Sequence, residues 1–156
     1  KKINSLIYNL VDSYVIEEDD INQTIDGKIE YKITKSDDNI ISILFYGYIN
    51  SRTAAHPNNF SFTFNYNLEA NKIITMPDIV NVDNNFLKKC KGALEKQFEK
   101  GIYDAMLDAN QDIDVLINDI KGSYSQYYFE DNKLFVGFTI PWGAGYTDYI
   151  YFNYNH

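Results

Sequence analysis

Two stretches of the chain carry apolar residues at the spacing of an amphipathic helix. The first covers residues 3–16, where apolar residues fall at every third or fourth position. These residues are Ile3, Leu6, Ile7, Leu10, Val11, Tyr14 and Val15. The second covers residues 84–107, and its stripe consists of Phe86, Cys90, Leu94, Phe98, Ile102 and Met106. The pattern predicts an N-terminal amphipathic helix and one long helix further along the chain.

Strand patterns lie between the two helical stretches. Ile29, Tyr31 and Ile33 alternate with polar residues, which is typical of a strand with one buried face. The same alternation runs through residues 59–68, whose apolar members are Phe60, Phe62, Phe64 and Tyr66. Residues 40–50 are apolar on both faces, as expected for a central strand beneath a helix. A further short strand is predicted for residues 72–75.

The last third of the chain returns to strand patterns, at residues 124–130, 133–140 and 148–154. Asp131-Asn132 separates the first two and suits a two-residue hairpin turn with positive φ. We therefore predict an α+β fold, an antiparallel β-sheet with the N-terminal helix and the long helix packed against it. The sheet is expected to contain residues 40–50, 59–68 and 133–140.

The same patterns predict a core made largely of rings. Its expected members are Phe45, Phe62, Phe64, Phe86, Leu94 and Phe98. Aromatic residues make up 16% of the sequence, which agrees with extensive sheet. Cys90 lies on the stripe of the long helix, so it is interpreted as a small buried hydrophobe and not as a nucleophile.

Composition narrows the class of protein. A chain of 156 residues is long enough for one domain, 1–156, with a real core. A net charge of −8 disfavours nucleic acid and anionic membranes as partners. One cysteine excludes an internal disulfide, and no apolar run approaches the ~18 residues of a membrane span. Because the chain begins at Lys1 without a methionine, an N-terminal membrane anchor or leader upstream is compatible with the sequence.

The loop Thr53-Ala-Ala-His56-Pro-Asn58 holds the most distinctive candidate residue, His56. A histidine beside Arg52 and Asn58 can act as an acid, a base or a metal ligand. No second histidine or clustered carboxylate lies near it in the sequence, so we expect a structural role in which the ring bonds to backbone. No catalytic residue, metal or cofactor is predicted.

Residues Asp108–Asp119 imitate a calcium-binding loop, with acidic or amide residues at several ligand positions. Ile113 replaces the glycine that the sharp turn requires, and Asp119 replaces the bidentate glutamate. The segment is therefore interpreted as an acidic loop that does not bind calcium tightly.

Trp142 lies in a glycine-bearing loop between two predicted strands. It is either a plug in the core or an exposed ring that contacts a sugar or a protein, and the sequence leaves both open. The two loops follow strong strand patterns, where recognition residues concentrate. The predicted ligand-binding residues are Arg52, His56, Asn58, Trp142 and Tyr146.

Three short motifs in this order carry a resemblance to a known family. They are Ala55-His-Pro-Asn58, Pro77-Asp-Ile79 before the long helix, and Pro141-Trp142 after the late hairpin. The chain resembles the RsiV C-terminal-like family, a domain of unknown function found in RsiV-type anti-sigma factors. The same domain accompanies PdaC-type peptidoglycan deacetylases as a non-catalytic domain. Thr53-Ala54 and Gly143 depart from the family, which usually has glycines and a glutamate there.

The resemblance implies an α+β domain outside the cytoplasmic membrane of a bacterium, secreted, lipid-anchored or membrane-anchored. It also implies a non-catalytic binding or sensing function, with a basic protein such as lysozyme or a cell-wall glycan as partner. The alternative is an enzyme that acts on cell-wall polysaccharide, with His56 as acid or base. A carboxylate within hydrogen-bond reach of His56 in a cleft would favour the enzyme.

Overall fold

The computed structural model describes residues 2–15, 24–52, 56–97, 126–141 and 147–154. The helices are α1 (Lys2–Val15), α2 (Met76–Ile79) and α3 (Asn84–Gln97). The strands before α2 are β1 (Thr24–Ser36), β2 (Ile40–Ser51), β3 (Asn58–Asn67) and β4 (Lys72–Ile73). The later strands are β5 (Gln126–Glu130), β6 (Lys133–Pro141) and β7 (Thr147–Tyr154).

The described strands form two antiparallel sheets, in the orders β1-β2-β3-β4 and β5-β6-β7. The predicted α+β class with an N-terminal helix is confirmed. The prediction that residues 40–50, 59–68 and 133–140 share one sheet is wrong, because β6 belongs to the second sheet. Alternation reports which face of a strand is buried but not which strand lies beside it, and every pairing here is between neighbours in sequence.

The first sheet presents an aromatic face to α1. The pairs Ile43↔Phe64 and Phe45↔Phe62 place these side chains on one side of β2 and β3, and the rings of Phe45 and Phe62 stack at 4.8 Å. The buried members of this α1 face are Ile43, Phe45, Phe62, Phe64 and Tyr66. The helix packs on them with Ile3, Leu6, Ile7, Leu10 and Val11. The predicted stripe of the N-terminal helix is thereby confirmed for these five residues, and the side chains of Tyr14 and Val15 lie outside the described ones.

A second core lies between the second sheet and helices α2 and α3. Its buried residues are Met76, Val80, Phe86, Cys90, Tyr127, Leu134 and Val136. The ring of Phe86 meets that of Tyr154 at 5.0 Å, and Lys89 Nζ lies 5.1 Å from the same Tyr154 ring. Helix α3 begins after Asp83, whose Oδ1 accepts hydrogen bonds from the backbone N–H groups of Asn85 and Phe86.

Cys90 is fully buried, and burial raises the pKa of its thiol to about 12. The interpretation of Cys90 as a small buried hydrophobe is therefore confirmed. Helix α3 covers Asn84–Gln97, the first part of the predicted long helix. Its predicted continuation to residue 107, with Phe98, lies outside the described residues, as does the side chain of Leu94.

Short turns join the strands of each sheet. In the β1–β2 turn, Asp37 Oδ1 accepts hydrogen bonds from the backbone N–H groups of Ile40 at 2.7 Å and Asn39 at 2.9 Å. These bonds hold the pKa of the Asp37 carboxyl below its usual value. In the β5–β6 turn, Asp131 has a φ of 52°, in the left-handed region that aspartate tolerates. The predicted hairpin at Asp131-Asn132 is confirmed.

The second sheet meets the first through its edge strands β5 and β7, and the contacts to backbone groups are made at β5. On the side of the first sheet opposite α1, the side chains of Ser42, Thr63 and Asn65 contact the backbone of β5. The backbone carbonyl of Ser61 accepts a hydrogen bond from the side chain of Gln126 on the same strand. We call this the junction face, and its residues are Ser42, Ser61, Thr63 and Asn65. Three of them, Ser42, Ser61 and Asn65, are buried.

The junction face satisfies backbone groups on the edge of β5 that no strand pairs with in the described structure. Asn65 Nδ2 donates to the carbonyl of Tyr127 at 2.7 Å, and the N–H of Phe129 donates to Ser42 Oγ at 2.9 Å. Ser42 Oγ in turn donates to Asn65 Oδ1 at 2.6 Å and accepts from Thr34 Oγ1 at 3.1 Å. The two sheets are therefore joined by a connected network and not by a ladder of strand pairing.

Candidate functional site

The predicted residues Arg52, His56 and Asn58 lie at one end of the β2–β3 hairpin. Pairing between the two strands reaches Ile49↔Asn58, and Arg52 and His56 lie beyond that pair. All three predicted residues are exposed. The sequence therefore located a polar, accessible hairpin end. Residues 53–55 of the same loop lie outside the described part of the chain.

The strands that carry this hairpin end are closely packed. A Cβ at Gly47 would lie 1.9 Å from the carbonyl oxygen of Lys28 and 2.8 Å from the Phe60 ring. No side chain fits there unless β1 moves away from β2, so glycine permits the close approach. Phe60 also stacks on Phe62, with ring centroids 6.2 Å apart. The body of the hairpin is thus packed against the rings of Phe60 and Phe62 and against the neighbouring strand β1.

Polar and acidic residues of β1 lie next to the hairpin end. Thr24 pairs with Ser51, and Asp26 pairs with Asn50. Asp26 is exposed, so a carboxylate stands on the strand beside the one that leads to Arg52. This surface combines acidic, amide and basic groups within a few residues, a mixture that can hydrogen-bond to a polar partner.

Trp142 and Tyr146, the other predicted binding residues, lie outside the described residues, in the connection between β6 and β7. The strands on either side of that connection are described, and β7 touches β3 near the hairpin. Tyr151 OH lies 2.6 Å from Ser61 Oγ and donates to Gln126 Oε1 at 2.5 Å. The choice between a core plug and an exposed ring for Trp142 stays open.

Sequence reasoning missed the junction face. Asn65 lies between Phe64 and Tyr66, so the alternation suggests that it faces water, whereas it is 3% exposed. Ser42 lies in a stretch that is predicted to be buried on both faces, and it is 0% exposed, but the pattern assigns no partner to its hydroxyl. The available signal was chemical: serine and asparagine are the small residues that can bond to backbone groups of another strand, whereas a solvated face usually carries longer charged side chains.

Within the described ranges, no group of three or more His, Cys, Asp or Glu side chains is arranged to hold a metal ion. The calcium-like segment Asp108–Asp119 falls outside those ranges, so its interpretation stays a prediction. None of the helices in the described part of the chain is both long enough and apolar enough to cross a bilayer.

Comparison with known proteins adds no further identification. No family model matches the sequence, and no curated protein matches it. A function for this chain therefore has to be argued from its own residues, beginning with the exposed end of the β2–β3 hairpin.

Proposed function

We propose that this chain is a non-catalytic binding or sensing domain of a bacterial envelope protein, located outside the cytoplasmic membrane. The observation that carries the proposal is the β2–β3 hairpin. Its body is fixed by the α1 face, and its end exposes Arg52, His56 and Asn58. Binding residues are typically found on loops that a rigid scaffold holds in place.

A rigid support matters because binding must offset the loss of freedom of the groups that it immobilises. Phe45 and Phe62 are 5% and 1% exposed, so the strands beneath the hairpin end are ordered before any partner arrives. Side chains on such a support lose less conformational entropy on binding than those on an unsupported loop. Arg52 and Asn58 together offer several hydrogen-bond donors and one amide acceptor.

The proposed partner is a basic protein such as lysozyme, or a fragment of cell-wall glycan. The net charge of −8 favours encounter with a basic protein through long-range attraction. The extracytoplasmic location and this class of partner are proposed from three short motifs that resemble the RsiV C-terminal-like family, a resemblance that no family-model match accompanies. Trp142 and Tyr146 complete the proposed binding set as rings for stacking or for an apolar anchor.

The test measures binding of the isolated chain to lysozyme and, separately, to soluble peptidoglycan fragments. His56→Ala and Trp142→Ala are expected to weaken capture, and a buried aromatic anchor contributes about 2 kcal/mol, or roughly 30-fold in Kd. Asn132→Ala is the matched control, because it alters another exposed hairpin turn without changing the charge. Thermal melting of each variant separates loss of binding from loss of fold.

Three results would contradict the proposal. Wild-type protein that binds neither probe removes the proposed partners. If Trp142→Ala unfolds and His56→Ala binds as tightly as wild type, Trp142 is a core residue and the proposed binding surface is rejected. Turnover of acetylated wall sugars that His56→Ala abolishes replaces binding by catalysis, with His56 as the acid or base.

A further inference from the structure

Strand β1 carries an exposed apolar stripe on an unpaired edge. Among the strands that the structure describes, β1 pairs with β2 on one side and with none on the other. On its α1 side, Ile29, Tyr31 and Ile33 are 38%, 66% and 56% exposed. An edge strand with a row of exposed large hydrophobic residues is a template for pairing with another strand.

The opposite side of the same strand carries charges of alternating sign. In chain order these are Asp26, Lys28, Glu30 and Lys32, and all four are exposed. Lys28 and Glu30 pair with each other at 2.9 Å, and Lys32 bonds to Glu130 of β5. The sequence minus-plus-minus-plus is self-complementary, because it matches its own reverse when two copies run antiparallel.

We propose that the outer edge of β1 binds β1 of a second copy of this chain, with the two-fold axis at Ile29. In this register Lys28 of each copy faces Glu30 of the other, and Asp26 faces Lys32. Each opposite-charge pair occurs twice, once on either side of the axis. On the apolar side Ile29 faces its own counterpart, and Tyr31 lies over Gly27, where no side chain obstructs the ring.

Neighbouring registers fit the charges less well. A two-fold axis at Glu30 places glutamate against glutamate and Lys28 against Lys32, which is repulsive. An axis at Tyr31 keeps Glu30 opposite Lys32 but places Lys28 against Thr34, so it gives two opposite-charge contacts where the axis at Ile29 gives four. Charge therefore selects one register, with the axis at Ile29.

The regular part of β1 has the length that this pairing needs. Register irregularities interrupt its pairing with β2 between Thr24 and Asp26 and between Ile33 and Lys35. Bulges of this kind end the pairing of an edge. Residues 26–32, which contain all of the proposed contacts, lie between the two irregularities. A partner without this palindromic charge order gains no such match, which favours a second copy over an unrelated peptide.

The test exploits the symmetry of the charges. Lys28→Glu and Glu30→Lys each place like charges opposite one another at both symmetric positions. Each single variant is expected to weaken self-association about tenfold or more, as measured by analytical ultracentrifugation across a concentration series. Mixing the two variants restores every opposite-charge contact, so the mixture is expected to form a heterodimer that is tighter than the homodimer of either variant alone.

Matched controls separate this effect from net charge and from fold. Lys88→Glu and Glu69→Lys make the same charge changes at exposed positions away from β1 and are expected to leave association unchanged. Circular dichroism of each variant checks that the sheets persist. Ile29→Cys is expected to form a disulfide-linked dimer under oxidation, while buried Cys90 stays unreacted in the wild type.

Several outcomes overturn the proposal. If the wild-type chain is monomeric at every concentration, the proposal is rejected, and the charged residues of β1 serve to prevent pairing of this edge strand. A dimer that ignores both charge reversals, or variants that fail to pair on mixing, places the interface elsewhere. Crosslinking by Tyr31→Cys in preference to Ile29→Cys rejects the proposed axis. Binding of an unrelated peptide to β1 without self-association rejects the second copy as occupant.

Discussion

Strands β2 and β3 of the first sheet carry buried residues on both faces, but different forces hold the two sides. On the α1 face, Phe62 and Phe64 are 1% and 2% exposed and lie among other rings and aliphatic side chains. On the junction face, Ser42 and Asn65 are 0% and 3% exposed and lie in a network of hydrogen bonds. Equal burial therefore does not mean equal chemistry.

The difference has a consequence for specificity. Apolar burial stabilises in rough proportion to area and imposes little direction, so α1 is held on its face by shape and by the hydrophobic effect. The junction imposes direction, because Asn65 must meet the Tyr127 carbonyl and Ser42 must meet the Phe129 N–H. A shift of β5 by one residue would leave these groups buried without partners, at a cost of about 1–3 kcal/mol each.

The largest expected effect comes from breaking the α1 face. Phe62→Ala removes a ring that stacks with Phe45 and Phe60, and it leaves a cavity beneath α1. We expect the free energy of unfolding to fall by about 3–5 kcal/mol. Urea denaturation measures this, and Phe62→Leu, which retains more of the volume, is the graded control. A loss no larger than that of Asn59→Ala at an exposed position of β3 would contradict the assignment.

The junction face should respond in a more cooperative way. Asn65→Ala leaves the Tyr127 carbonyl and the Ser42 hydroxyl without their partner, and Ser42→Ala leaves the Phe129 N–H without its acceptor. We expect each substitution to cost about 1–3 kcal/mol, and the double variant to cost less than the sum because the residues share one network. Urea denaturation of the cycle measures the coupling, again with Asn59→Ala as control.

Hydrogen exchange sharpens the contrast between the two faces. Ser42→Ala is expected to speed local exchange of the Phe129 amide, whose acceptor it removes, whereas Phe62→Ala lowers protection mainly through global stability. Additive effects of Ser42 and Asn65, with unchanged exchange at Phe129, would show that the junction is not one network.

The sequence predicted the α1 face and missed the junction for a physical reason. Period-two alternation identifies Phe62, Phe64 and Tyr66 as one side of a strand, and their size makes burial the favourable outcome. The same alternation assigns Asn65 to the other side, but its burial depends on β5, about 60 residues away along the chain. Nothing local to Asn65 specifies the Tyr127 carbonyl, so only the assembled fold shows the contact.

For the candidate site, the structure shows where the predicted residues lie and not what they bind. Strand and loop patterns place Arg52, His56 and Asn58 between two strands, and the structure has them exposed at the end of the β2–β3 hairpin. The division into two sheets was not predicted, because β6 and β3 have similar alternation and differ only in their neighbours. Alternation predicts that Ile29, Tyr31 and Ile33 form a buried face, and that prediction is wrong. The stripe lies on the edge strand β1, and the described structure leaves it uncovered.

Asp78, which is exposed, makes a hydrogen-bond network that contrasts with the buried one at the junction face. Asp78 Oδ1 accepts a hydrogen bond from Lys72 Nζ at 2.7 Å, and Oδ2 accepts from the N–H and the hydroxyl of Thr75 at 2.8 Å each. These bonds, Lys72 first, lower the pKa of Asp78 from 3.8 to about 2. They fix the start of α2, which carries Met76 and Val80 into the second core.

The smallest effect is therefore expected at Asp78, and it should depend on pH where the junction does not. Because its pKa is lower in the folded chain, the carboxylate stabilises the fold above pH 3.8, and this contribution is lost as the pH falls through about 2. Asp78→Asn should be less stable than wild type at neutral pH. The loss of stability should be smaller than that of Asn65→Ala, because the site is open to water. The difference in stability between Asp78→Asn and wild type should vanish near pH 2, and Lys72→Ala should shift the pH at which Asp78 stops stabilising the fold to a higher value. Urea denaturation from pH 7 to pH 2 measures both effects. If Asp78→Asn is less stable than wild type by the same amount at every pH, the loss comes from the changed hydrogen-bond geometry of the amide and not from the missing charge.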